Sequence, residues 1–132
     1  ETERQFEYLL DFLREAQLDR VGVFTYSPED GTPALTLPGA VDPEVAAERA
    51  AGVQEFQDTI AWERQQALLG SPQEVLVDGP SADPAFDFEG RTAGQAPEID
   101  GVVYLRGAFE PGRFARVRVV EVEGYELVGE RL

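Results

Sequence analysis

Residues 114–132 read FARVRVVEVEGYELVGERL, and this stretch decides the fold. Val117 and Val119, with Ala115, fall on one side of a two-residue alternation, and Arg116 and Arg118 fall on the other. That is the pattern of a strand with one buried and one wet face. Gly124 then separates this run from YELVGERL, as a tight hairpin requires. Upstream, EVLVDG, FDFEGRTA and GVVYLRG are three further short segments divided by Gly, Pro and Asp. Five short strands in about 60 residues predict a small OB-like β-barrel, expected to be antiparallel, because closing a sheet on itself removes its exposed edges.

Before residue 73 the period changes. Phe6, Leu9, Leu10, Leu13 and Gln17 share one helical face, widened by Tyr8 and Phe12, and predict a helix over 3–18. VGVFTY (21–26) reads as a short apolar strand covered on both faces, and a helix feeding such a strand is the unit of an α/β sheet. SPEDGTPALTLPG holds three Pro and two Gly, which excludes a regular element. A second helix is expected from the N-cap Asp42 through Pro43 and Glu44 to about Leu69, where Gly70 and Pro72 stop it. Val53, Phe56, Ile60 and Ala67 form its apolar seam. At about 40 Å it is too long for one small core and is expected to span two domains, with Trp62 in interface packing.

Composition removes whole classes of chemistry. The 132 residues contain no Cys and no His, so thiol nucleophiles, thiolate and imidazole metal ligands and the commonest general base are all missing. Independent catalysis is not expected. There is no Met either, so the sequence is expected to be a piece of a longer protein. No apolar run approaches the ~20 residues of a membrane span. The net charge is −15, with 26 acidic residues against 11 Arg spread along the chain. Such a balance gives phosphate-backbone binding poor support and fits either plain solubility or a strongly basic partner.

Three stretches could carry function. In SPEDGT, Gly31 and its neighbours could present amides to a phosphate, but Glu29 and Asp30 oppose an anion, and their simplest reading is a solvated turn. In RTAGQAPEIDGVVYLRG (91–107), Arg91, Glu98 and Asp100 surround Pro97 and Ile99. One reading is a hairpin loop with Ile99 plugging the barrel end; the other is a loop displaying acids to a partner. In EPGRFARVRV, Arg113, Arg116 and Arg118 resemble a nucleic-acid footprint, although salt bridges between strands are the more economical use beside Glu110, Glu121 and Glu123.

DRVGVFTYSPEDGTPA, the long helix ending in WERQQALLG, then EVLVDG, GRTAGQAPEIDGVVYLRG and ELVGE together resemble the C-terminal part of the radical-SAM methylthiotransferases. Within that family the likeness is to the branch that methylthiolates an aspartate of the basic small-subunit ribosomal protein S-twelve. The resemblance implies an α+β fragment: residues 1–42 as the terminal helix and strand of a radical-SAM α/β barrel, 43–69 as a linking helix, and 70–132 as a five-stranded antiparallel TRAM barrel. It implies that Tyr26, Ser27, Glu29, Asp30 and Thr32 lie at the rim of the catalytic barrel, and that Glu98, Asp100 and Arg91 meet the partner. It further implies a cytoplasmic transferase using S-adenosylmethionine and two 4Fe–4S clusters whose cysteines lie upstream of residue 1. The fragment itself would then bind no cofactor, be inactive alone, and tend to self-associate through uncovered barrel surface. The alternative is the RNA-binding TRAM portion of a tRNA-modifying relative, which predicts Arg91, Arg113, Arg116 and Arg118 converging beside an exposed aromatic. The chain departs from the family pattern at Gly94-Gln95, where a small residue and Asp are expected.

Overall fold

Thr2 opens the first helix, α1 (Glu3–Ala16), with a reciprocal cap. Its hydroxyl accepts from the Gln5 backbone N–H, and its own N–H donates to the Gln5 side chain. The helix stops at Ala16 because Gln17 turns left-handed, with φ 50°, so Gln17 caps the helix and does not extend its face. The second helix, α2 (Pro43–Gln66), starts as its sequence requires: the Asp42 carboxylate accepts from the Glu44 N–H at 2.9 Å. Phe6, Leu10 and Leu13 of α1 pack with Val53, Phe56 and Ile60 of α2, and Val21 and Val23 close the same cluster. Gln57 is buried beside them and donates to the Leu18 carbonyl at 2.7 Å, fixing the chain as it leaves α1.

Residues 21–26 form no strand, contrary to the expectation from VGVFTY. A strand exists through its ladder, and no segment of this chain pairs with these residues. Val21 and Val23 turn inward, while Phe24 is 94% and Tyr26 62% exposed, so the segment is not covered on both faces. Trp62 is also exposed, at 61%, and is not packed as the sequence suggested.

The computed structural model describes all 132 residues. They divide into two compact units, Glu1–Ala61 and Trp62–Leu132, the division falling inside α2. The second unit holds five strands: β1 (Pro72–Pro80), β2 (Phe88–Arg91), β3 (Val103–Arg106), β4 (Phe114–Glu123) and β5 (Glu126–Arg131). They close into a barrel in the order β1-β2-β3-β5-β4. The barrel is mixed, not antiparallel, because β3 and β5 run parallel from Val103↔Leu127 to Arg106↔Glu130. Parity explains the correction: directions cannot alternate around a closed ring of five, so at least one neighbouring pair must be parallel.

Inside the barrel lie Val75, Val77, Val103, Leu105, Phe109, Val117, Val119 and Leu127, with Leu68 packed against them. Gly129 is required there, since a Cβ at that position would stand 2.8 Å from Val117 Cγ2. Ladder irregularities between Val77 and Gly79 in β1, and between Val119 and Glu121 in β4, supply the bending that closure needs.

Candidate functional site

The β2–β3 connection is the most elaborated surface feature of the barrel. Its hub is Gln95. The Gln95 side-chain oxygen accepts from the Thr92 N–H at 2.9 Å and the Thr92 hydroxyl at 3.1 Å, while its amide donates to the Gly101 carbonyl at 2.6 Å. One side chain therefore ties both ends of the loop together. Within it, the Asp100 carboxylate accepts from the Ala96 N–H at 2.8 Å, and the Asp100 N–H donates to the Ala96 carbonyl at 3.2 Å. Glu98, at the tip, adopts φ 62°, a left-handed conformation uncommon outside Gly, Asn and Asp. Ile99 does not plug the barrel end: it is 85% exposed.

The far end of this loop is wedged against the β4–β5 hairpin. A Cβ on Gly101 would lie 2.2 Å from the Tyr125 carbonyl oxygen, so only glycine fits. The Leu127 N–H then donates to the Val102 carbonyl at 3.0 Å. At the same end of β4–β5, Glu123 and Glu126 stand directly opposite one another. Arg91, the third residue expected at this site, is drawn to the barrel wall, where its guanidinium bonds the Asp78 carboxylate on β1.

The other group of candidates, Tyr26 to Thr32, is contiguous within the first unit. The Thr32 N–H and hydroxyl both donate to the Glu29 carbonyl, at 3.3 and 2.8 Å, around Gly31 with φ 79°. The segment is a tight polar turn with Tyr26, Ser27, Glu29 and Asp30 exposed and Thr32 half-buried.

On the outer face of β4, Phe114, Arg116 and Arg118 alternate outward, and Phe114 is 69% exposed. The register sets Phe114 and Arg91 both opposite Leu76, and Arg116 opposite Glu74. Arg118 donates to the Gly70 carbonyl, and Arg113 lies 3.9 Å from Glu110. The bridges that span strands are made instead by Arg91 and by Arg106, which reaches Glu121 at 2.9 Å and Glu130 at 3.8 Å.

Sequence reasoning missed a stack on this wall: Phe86 lies parallel to Tyr104 with ring centroids 4.5 Å apart, and the Arg106 guanidinium covers Phe86. Burial, then the negative charges of Glu126, Asp83 and Glu89, raise the Tyr104 phenol above its ordinary 10.0.

No three or more acidic, Cys or His side chains converge as a metal site. No helix is long and apolar enough to cross a membrane.

Comparison with known proteins places this geometry. Residues 69–132 match the TRAM domain. The chain is 46% identical over 136 residues to the ribosomal protein uS12 methylthiotransferase RimO of Burkholderia orbicola (strain MC0-3), an alignment covering 98% of this chain and 29% of that protein. The enzyme of the same name from Sorangium cellulosum (strain So ce56) is 44% identical over 133 residues, covering 100% of this chain and 27% of the relative. That of Bordetella petrii (strain ATCC BAA-461 / DSM 12804 / CCUG 43448) is 47% identical over 132 residues, with 98% and 29% covered. The chain thus spans less than a third of the length of these relatives.

Proposed function

The chain belongs to the RimO methylthiotransferase family, and from that premise we propose that it is the substrate-recognition portion of an enzyme methylthiolating the β-carbon of an aspartate in ribosomal protein uS12. The observation that carries this reading is the electrostatics of the barrel unit. Residues 69–132 hold twelve acidic side chains and six Arg, and Arg91 and Arg106 are engaged by acids of the barrel itself. The remaining surface is anionic, which suits a basic protein and repels a phosphate backbone. The barrel docks uS12 through Glu98, Asp100 and the loop that bears them, with Arg91, tied to Asp78, at the point where the loop leaves the wall. Tyr26, Ser27, Glu29, Asp30 and Thr32 form part of the rim through which the target aspartate enters.

The chemistry runs on groups this chain does not hold. With no Cys or His, it offers no ligands for an iron–sulfur cluster. In the parent enzyme two 4Fe–4S clusters and S-adenosylmethionine would supply radical generation and sulfur transfer. These 132 residues orient and select the substrate, and by themselves are inactive. Residues 1–42 complete the catalytic barrel and 43–69 lead from it to the TRAM domain at 70–132, in a cytoplasmic enzyme.

Binding of the full chain to purified uS12 across a salt series tests this. Affinity should fall steeply as salt rises; absence of binding at low salt, or salt-insensitive binding, would count against it.

A second reading has one observation in its favour. Phe114, exposed beside Arg116 and Arg118, is an aromatic among cations, the combination that single-stranded RNA binding uses. Glu74 opposite Arg116 and Asp78 on Arg91 interrupt that stripe, which leaves it the weaker of the two.

A further inference from the structure

Resting on the docking of a basic protein proposed above, we infer that Ile99 is the apolar anchor of that interface, and that the 92–101 loop is prebuilt to present it. The partner surface it fits is an apolar pocket ringed by Arg or Lys.

Ile99 is the most exposed aliphatic side chain of the barrel unit, at 85%, and it stands on a loop that is anything but loose. Gln95 joins the two ends through Thr92 and Gly101, Asp100 pins Ala96, and Gly101 is jammed against the Tyr125 carbonyl. A β-branched side chain held out on a braced loop loses little further freedom on docking, so its burial is not offset by ordering cost. Interface anchors of this kind are few, central and surrounded by groups that exclude water.

The rim fixes the partner's charge. Glu98 adjoins Ile99, and Glu123 stands opposite Glu126, whose carboxylate also bonds the Tyr104 phenol, on the hairpin against which the loop leans. Like charges directly opposed on adjacent strands are unfavourable, and a cationic partner relieves them. A second copy of this chain would bring acid against acid at a net charge of −15. An anionic membrane or an RNA backbone would be repelled as well, and an aliphatic tip offers no face for base stacking.

The test is a titration of the full chain with uS12 at low and moderate salt, with a melting curve for each variant. Ile99→Ser should weaken binding about tenfold at both salts and leave the melting temperature unchanged. Ile99→Val, which keeps the apolar tip, should stay within about twofold of wild type. Glu123→Gln should weaken binding mainly at low salt and flatten the salt dependence. If the wild-type chain binds uS12 and Ile99→Ser binds equally well, or changes only the salt slope, Ile99 is not the anchor while the docking reading stands. If the wild-type chain does not bind uS12, both fall together.

Discussion

Gly101→Ala is the sharpest perturbation the structure offers, because it tests the wedge between the 92–101 loop and the β4–β5 hairpin. The added Cβ would sit 2.2 Å from the Tyr125 carbonyl oxygen, 2.6 Å from its carbonyl carbon and 3.1 Å from its Cβ. Two of these are backbone atoms, so no rotamer change relieves the clash. The loop and hairpin must separate by roughly 1 Å, an overpacking strain that costs about 1–3 kcal/mol. Separation also threatens the Gln95-to-Gly101 hydrogen bond of 2.6 Å and the Leu127-to-Val102 bond of 3.0 Å, each worth about 1 kcal/mol net. Destabilisation of about 2–4 kcal/mol is expected, and for a domain of this size each kcal/mol moves the melting temperature by about 4–8 °C. Gly79→Ala is the matched control: its Cβ meets nothing within 4 Å, and it should be neutral or slightly stabilising. Urea and thermal unfolding followed by circular dichroism would measure both. A Gly101→Ala variant that melts with the wild type would show that the loop is not wedged and would refute the bracing argument.

Three other outcomes follow from named contacts. Because the Tyr104 phenol is raised in the fold, the folded state keeps a proton that the unfolded chain surrenders; Tyr104's contribution is intact below about pH 10 and is lost as pH rises through the folded value. Tyrosinate absorbance should show Tyr104 ionising above the ordinary phenol value, and Tyr104→Phe should lessen the alkaline loss of stability. The half-exposed Arg91–Asp78 pair should give a coupling of only about 0.2–1 kcal/mol in a double-mutant cycle of Arg91→Ala and Asp78→Ala, while a larger value would mean Arg91 organises more than one contact. The 132-residue chain, with Tyr8, Phe12, Phe24 and Tyr26 exposed, should self-associate by light scattering, and Phe24→Ser with Tyr26→Ser should shift it toward monomer. A monomeric wild type would contradict this.

The parts of this molecule legible in sequence are those governed by local chemistry. Asp42 capping α2, the Gly124 hairpin and the inward Val117 and Val119 each follow from one residue's preference or from simple periodicity. Where the outcome depends on what lies across space, the sequence misleads. VGVFTY has strand composition, but a ladder needs a neighbour, and none is present in the chain. The parallel β3–β5 pair comes from ring closure, a property of all five strands together. At the candidate site the charged residues were visible, while the residue organising them stood out only as a departure from the resembled pattern and not by its role. Gln95 carries no charge and matches no motif, and its role appears only when Thr92 and Gly101 are brought within reach of one side chain. Ile99 was ambiguous for the same reason, since an apolar residue in a loop can plug a core or project from it.

The central claim, that this chain selects uS12 for a methylthiotransferase, is tested most directly by the product. The full-length enzyme, reduced and supplied with S-adenosylmethionine and sulfide, would be offered uS12 and tRNA in one reaction, and both would be analysed by mass spectrometry. The account predicts a methylthio group on a single uS12 aspartate and unmodified tRNA. Methylthiolated tRNA beside unmodified uS12 would contradict it.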